Sequence, residues 1–219
     1  MKRVALIVAG GKGERMNSKI PKQFLYLNKL PILIHTAKKF SHFDEIIIVL
    51  HKKCFKNWKK ICNEANFNKK HKLIEGGVNR FQSVKNGLAH IENKSIVAIH
   101  DGVRPLVSKN LIDVLISKTK RGVGLIPVLP IKNSICQIKN GITSHVDRRN
   151  LFQIQTPQCF MGCDIKDAYK QKYLQCFTDD ASVLQNNGGT IIPVIGEEKN
   201  IKITTKEDLR IAEFFMQSL

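Results

Sequence analysis

The chain has 219 residues, enough for one sizeable core, and its apolar fraction of 42% is ordinary for a globular protein. Thirty-six Lys and Arg against 18 Asp and Glu give +18, a balance that favours anionic partners: nucleic acid, a membrane surface or phosphorylated metabolites. No stretch approaches the roughly 18 apolar residues of a membrane span, and the apolar run at 4–9 is too short for a secretory signal, so a cytoplasmic protein with one α/β domain over 1–219 is expected.

Apolar runs at 4–9, 45–50, 72–75, 95–99 and 123–129 read as strands, the longer ones buried on both faces. Between them, 31–40, 55–65, 80–91 and 111–118 read as helices, with Asn79 capping the third and Ser108 the fourth. This alternation implies a doubly wound, mostly parallel sheet of Rossmann-like type with right-handed crossovers. At 131–153 the texture changes. Two alternating segments, 135–138 and 143–146, flank Lys139-Asn140-Gly141, which reads as a β-hairpin with an Asn-Gly turn. Such an insertion is either a surface flap or a dimerisation arm. A helix at 164–172, another at 180–187, a strand at 190–195 and a last helix from Lys206 follow, with Thr205 and Asp208 forming a capping box.

The lysines run along the chain without an arginine-rich tract or an aromatic-interleaved basic strand. A general lysine bias on a solvated surface accounts for this, and a charge selected for a partner is the other account. The six cysteines, at 54, 62, 136, 159, 163 and 176, form no Cys-x-x-Cys and no zinc-finger spacing, which suits incidental thiols in a reducing compartment.

Ligands of doubly wound sheets sit beyond the carboxyl ends of the strands, so the loops after 9, 75, 99 and 129 are the informative ones. Gly10-Gly11-Lys12-Gly13 follows the first strand. It is neither a Walker A loop nor a complete dinucleotide fingerprint. A tight turn alone would explain it, but Arg15 and Pro21-Lys22 add two cations, and proline fixes the backbone that aims Lys22. Phosphoryl-type transfer needs charge neutralised on non-bridging oxygens, which such a loop can supply. Gly76-Gly77-Val78-Asn79-Arg80 leads into the third helix, where Arg80 and Ser83 are three apart and face one end of the sheet. His100-Asp101-Gly102-Val103-Arg104-Pro105 places a carboxylate at a strand end, a position for a metal, a substrate hydroxyl or ordinary turn chemistry.

In order along the chain, Ala9-Gly10-Gly11-x-Gly13-x-Arg15-Met16, Pro21-Lys22-Gln23-Phe24, Gly76-Gly77-x-x-Arg80-x-x-Ser83-Val84-x-x-Gly87 and His100-Asp101-x-x-Arg104-Pro105 resemble the 2-C-methyl-D-erythritol 4-phosphate cytidylyltransferases. So do Asp147-Arg148, Gln155-Thr156-Pro157-Gln158, Thr178-Asp179-Asp180-Ala181-Ser182 and Asn200-Ile201-Lys202-Ile203-Thr204. The resemblance spans about residues 3–213. It implies a nucleotide-diphospho-sugar transferase fold, transfer of a cytidylyl group from CTP to methylerythritol phosphate with release of pyrophosphate, a divalent cation such as Mg²⁺, and a homodimer joined through the arm at 131–153. By position it implies Arg15 and Lys22 as catalytic cations. Arg148, Lys202, Asp101, Arg104, Thr178 and Ser134 would position the acceptor, Arg148 from the partner subunit. Ala9, Gly10, Gly11, Gly13, Gly77, Arg80 and Ser83 would hold the nucleotide, and Asp101 is the metal candidate, with Mg²⁺ carried mainly by CTP phosphates. Two departures stand out: Gly102-Val103 where two small residues are usual, and Asn133-Ser134 where Asp-Thr is common. A ribitol-5-phosphate cytidylyltransferase and a basic nucleic-acid-binding protein are the alternatives.

Overall fold

The structure, a computed structural model, describes residues 1–11 and 20–217. In chain order the elements are β1 (Lys2–Val8), β2 (Tyr26–Leu27), β3 (Leu30–Pro31), α1 (Ile32–Lys39), β4 (Glu45–Leu50), α2 (Phe55–Glu64), β5 (Lys72–Glu75), α3 (Arg80–Leu88), β6 (Ser95–Asp101), α4 (Lys109–Lys118) and β7 (Val123–Pro130). Then come β8 (Ile135–Lys139), β9 (Ile142–Val146), β10 (Phe152–Ile154), β11 (Gln158–Met161), α5 (Gly162–Ala168), α6 (Asp180–Asn186), β12 (Thr190–Ile195) and α7 (Lys206–Gln217).

The sheet has the order β10-β7-β11-β6-β1-β4-β5, with β12 on the other side of β7. β1 is parallel to both β4 and β6, β4 to β5, and β12 to β7. This is the doubly wound, mostly parallel sheet expected. The antiparallel exceptions, β10 and β11, do not stand out in the sequence. They lie end to end along one side of β7, Phe152 opposite Pro130 and Cys159 opposite Leu125. β11 thereby separates β6 from β7. Strands of three or four residues are too short to show a period.

β1 explains the two faces. Val4 and Leu6 pack with Phe81, Val84 and Leu88 of α3 and with Ile165 and Leu184. Ala5 and Ile7 pack on the opposite side with Leu33 and Ala37 of α1, Trp58 and Ile61 of α2, and Leu111 and Leu115 of α4. Successive side chains of a strand point to opposite faces, so an unbroken apolar run serves both layers.

The anticipated caps are present: Asn79 Oδ1 accepts from Gln82 N at 2.8 Å, Ser108 Oγ from Leu111 N at 3.0 Å, and Thr205 with Asp208 completes its box. Boundaries shift where a turn tightens. α3 stops at Leu88, and His90 N and Ile91 N bond carbonyls three residues back. α5 starts at Gly162, two residues before the expected 164, and Lys170 N and Gln171 N close it with the same three-residue bonds. β6 runs two residues past the expected 99, because Gly102 N still reaches Val8 O at 2.9 Å. The hairpin at 135–146 turns through Asn140 (φ 52) and Gly141 (φ 78), the left-handed pair that a two-residue connection demands. Its strands pair only with each other.

Helix α3 sits close on β1 because Gly87 has no side chain. A Cβ there would come within 2.4 Å of Leu6 Cδ1. Gly87→Val should therefore lower stability by about 1–3 kcal/mol through overpacking, read as a fall in the midpoint of chemical unfolding. An unchanged midpoint would show that α3 can lift without cost.

Candidate active site

The carboxyl ends of β1, β4, β5 and β6 open onto a cleft of about 930 Å³. Its lining includes Ala9, Gly10 and Gly11 after β1, His51 after β4, Gly76 to Arg80 and Ser83 after β5, and Asp101 and Val103 at the end of β6. Lys22 and Gln23 enter from a single 3-10 turn, Lys22–Phe24, introduced by Pro21. Lys202 and Thr204 enter from the segment before α7. Gln23 is buried, and its Nε2 donates to Ala9 O at 2.8 Å, which ties the Lys22 turn to the glycine loop.

Asp101 is the one carboxylate among the described lining residues. Lys202 Nζ stands 2.9 Å from its Oδ2, Arg104 Nε 3.5 Å from the same oxygen, and Arg80 Nε 3.7 Å from Oδ1. Burial opposes ionisation of this carboxyl, but Arg80, Lys202 and Arg104 outweigh it and hold it well below the usual carboxylate range. Arg80 is also forked onto the fully buried Asp180, with Nη1 to Oδ1 at 2.9 Å and Nη2 to Oδ2 at 2.6 Å. Tyr169 donates its hydroxyl to Asp180 Oδ1 at 2.6 Å. Burial and then Asp180 push the Tyr169 hydroxyl well above its ordinary value, so it stays a donor. Burial disfavours the charge on Arg80, yet Asp180 and Asp101 keep it firmly protonated.

Behind the cleft, β11 and the chain before it brace Asp101. Asp101 N donates to Thr156 Oγ1 at 3.0 Å, Thr156 Oγ1 lies 3.0 Å from His100 Nδ1, and His100 Nε2 lies 3.0 Å from Arg104 O. A carbonyl only accepts, so Nε2 carries the proton and Nδ1 accepts from the Thr156 hydroxyl. Burial lowers the His100 pKa to about 4, which keeps the ring neutral and this chain of donors unbroken. Arg104 Nη1 donates to Asn200 O at 2.8 Å, and Asn200 Nδ2 to Thr156 O at 2.8 Å. Gln155 clasps the same segment, accepting from Glu197 N and donating to Glu197 O.

Of the residues singled out from the sequence, Ala9, Gly10, Gly11, Lys22, Gly77, Arg80, Ser83, Asp101 and Lys202 come together in this one cleft. Arg104 is buried and holds Asp101 from behind. Ser83 turns its hydroxyl to the loop: it accepts from Gly77 N at 3.0 Å and donates to Asn79 O at 2.8 Å. Gly13 and Arg15 lie outside the described residues. Thr178 is exposed two positions before Asp180, while Ser134 and Arg148 are exposed at the base of the hairpin; none of the three lines the cleft. Arg148 Nη1 donates to Lys132 O. The sequence reading gave no role to Asp180, Thr156, Gln155 or His100. All four stand in the motifs that carry the resemblance, but the contacts that give them a role are spatial, since Arg80 and Asp180 are 100 positions apart.

His100 has a measurable consequence. Its folded pKa, about 4, lies below the ordinary value of 6.5, so the unfolded chain binds more protons between those values and stability falls as pH drops through that window. The difference corresponds to about 3 kcal/mol at full effect. His100→Gln should flatten the wild-type loss of unfolding free energy between pH 6.5 and 4. Identical pH slopes for the two proteins would show that the ring does not titrate this way.

A family model described as IspD, 2-C-methyl-D-erythritol 4-phosphate cytidylyltransferase, matches residues 3–218. A protein of that name from Azobacteroides pseudotrichonymphae is 43% identical over 216 residues, covering 96% of this chain and 97% of the relative. Its namesake from Bacteroides fragilis is 42% identical, covering 97% and 98%. Among solved structures, the bifunctional IspDF of Campylobacter jejuni aligns with a TM-score of 0.82 at 32% identity, covering 96% of this chain and 54% of the other. The 2-C-methyl-D-erythritol 4-phosphate cytidylyltransferase of Thermus thermophilus aligns with a TM-score of 0.82 at 27% identity, covering 99% and 100%. The chain belongs to the 2-C-methyl-D-erythritol 4-phosphate cytidylyltransferase family.

Proposed function

We propose that this chain transfers a cytidylyl group from CTP to 2-C-methyl-D-erythritol 4-phosphate, giving 4-diphosphocytidyl-2-C-methyl-D-erythritol and pyrophosphate, a step in isoprenoid precursor synthesis. One observation carries this reading. A glycine loop, Lys22, Arg80 and Lys202 line the cleft together, with Arg80, Lys202 and the buried Arg104 gathered about Asp101. Two anions are thus provided for in one space.

In the reaction a phosphate oxygen of the acceptor attacks the α-phosphorus of CTP. The new P–O bond forms as the bond to the bridging oxygen breaks, and pyrophosphate leaves with that electron pair. Backbone N–H groups of Gly10 and Gly11 would cradle the triphosphate, the Ala9 N–H being taken by Val49 O at 2.9 Å. Lys22 would neutralise charge that grows on the α-phosphoryl oxygens, a preorganised contribution that requires no covalent intermediate. Arg15 would join it, as the resemblance implies. Lys202 would hold the acceptor phosphate as a point charge, and Asp101 would fix Lys202 and take a sugar hydroxyl.

The one cleft carboxylate, Asp101, is already held by Lys202, Arg104 and Arg80 and does not fit a metal ligand, so Mg²⁺ would arrive with the triphosphate and be carried by its oxygens and water. Among the described residues no cluster of three or more His, Cys, Asp or Glu forms a resident metal site. The cation would supply charge neutralisation of the phosphates, and the sequence expectation of Asp101 as the metal candidate does not fit a carboxylate whose oxygens face three cations.

The acceptor side also needs Arg148, with Ser134 and Thr178 as further contacts. Arg148 stands exposed at the base of β8–β9, outside its own cleft. A lone two-stranded hairpin is marginal in water, and Ile138, Ile142 and Phe152 are 68%, 75% and 46% exposed on and beside it. Both features suit an arm that packs on a second copy and delivers Arg148 to the partner's cleft.

Pyrophosphate release with CTP and either methylerythritol phosphate or ribitol 5-phosphate tests the reading. Turnover with the former is expected, and exclusive use of the latter would overturn the acceptor. Lys22→Ala should lower kcat by about 10² or more; near-wild-type turnover would remove Lys22 from the chemistry. Mixing the Lys22→Ala and Arg148→Ala proteins should restore part of the activity, since a heterodimer then holds one intact site. A verified heterodimer without recovery would place Arg148 elsewhere.

A further inference from the structure

We propose that the lysine face of α2 collects the nucleoside triphosphate electrostatically and feeds it into the cleft; the inference rests on the CTP reading above. Within the chain's general lysine bias, one segment stands out. Residues 51–72 hold eight lysines against one acid, Glu64, which is +7 of the total +18. Trp58, Ile61 and Cys62 fix the inward side of α2 in the core. Lys56, Lys59 and Lys60 consequently point outward and are exposed, as are Lys52 and Lys53 in the preceding turn.

Two lysines of the group are neutralised: Lys60 pairs with Glu64 at 3.6 Å, and Lys72 with Glu45 at 2.6 Å. Lys52, Lys53, Lys56 and Lys59 make no ion pair among the described residues. These four are also at the right end of the helix. His51 lines the cleft and Lys52 is the next residue, so Lys53 begins at most about 8 Å of chain from the cleft wall. That is about one Debye length at physiological ionic strength. The sole acid sits at the distal end of α2. Lys69 and Lys70, also without an ion pair among the described residues, follow α2 at that far end, where Lys69 Nζ donates to Phe43 O. Four of the six lysines without an ion pair thus stand before α2 or in its first half, and charge beside a low-dielectric cleft raises the local concentration of an anionic substrate.

The face also fits this ligand better than a nucleic acid strand. Its aromatic residues, Trp58 and Phe67, are buried, and Phe55 is only partly exposed. It offers charge without the stacking platforms that single strands use.

The test compares K52Q/K53Q/K56Q with K94Q/K118Q/K120Q, which removes equal charge from exposed lysines near the amino ends of β6 and β7, away from the cleft. Calorimetric titration with Mg²⁺·CTP and with cytidine is run from about 20 to 500 mM KCl. At low salt the first variant should bind CTP about 3–10-fold more weakly than wild type, with the curves converging at high salt. Cytidine affinity and saturating kcat should not change, and the second variant should track the wild type. Parallel salt curves for the first variant and wild type would overturn the inference, as would an equal loss in the second variant. So would unchanged CTP binding with loss of affinity for a short RNA, which would reassign the face to nucleic acid. If the wild type bound no CTP at any salt, the nucleotide reading itself would fall, and this inference with it.

Discussion

The Asp101 carboxylate is the constraint on which the site depends. It stands at the end of β6, a strand next to the middle of the sheet, and three cations from three separate segments converge on it. Without it Arg80, Arg104 and Lys202 would repel one another in a partly buried space. With Asp180 included, the cluster holds three positive and two negative groups, so it retains a surplus positive charge aimed at the cleft. Breaking one member of such a buried set is costly because the remaining charge is left without compensation. The geometry is therefore strongly determined, which is what a preorganised electrostatic site needs.

Neutral groups hold that charged centre in place. Asp101 N, the Thr156 hydroxyl, the His100 ring and Arg104 O form an unbroken run of hydrogen bonds, while Arg104 Nε meets Asp101 only at ion-pair distance. The imidazole must remain neutral for this order to hold, and burial ensures it. The insertion of β11 between β6 and β7 has a purpose here, since it brings Thr156 against Asp101. Gln155 and Asn200 extend the brace to the segment that carries Lys202. Asn200 Oδ1 and Arg104 Nε are left without a hydrogen-bond partner, but the bonds that are made tie Asp101, the chain before β11 and the Lys202 segment together.

Much of this was legible in the sequence because it is local. The strand-to-glycine transitions after β1 and β5, the caps at Asn79 and Ser108, and the Asn140-Gly141 turn all depend on neighbours within a few positions. Motif spacing was enough to name most of the polar cleft residues, and Arg104 as well, which turned out to support Asp101 from behind. What was not legible is non-local. No periodicity links Arg80 to Asp180, or His100 to Thr156 56 positions away. The two short antiparallel strands carry too few residues to impose a pattern, and the helix ends at 88 and 168 were set by tight turns that many sequences permit. The lysine count along the chain shows the cluster at 51–72 but not its direction, which Trp58 and Ile61 set by driving their neighbouring lysines onto one face.

The position of Lys202 shows why three cations are used where one would balance the charge. Its ammonium is the closest of the three to Asp101, at 2.9 Å, yet it is also the most exposed, with 40% of its side chain accessible against 30% for Arg80 and 11% for Arg104. A flexible lysine can swing toward a phosphate while its stem stays packed. If Asp101 relied on Lys202 alone, that movement would leave a buried carboxylate unpaired, a cost that would oppose substrate binding. Arg80 and Arg104 remove this cost, because both stay in place: Arg80 is forked onto Asp180, and Arg104 is fixed to Asn200 O. The two guanidiniums hold the counter-charge, and the ammonium is left able to exchange one anion for another.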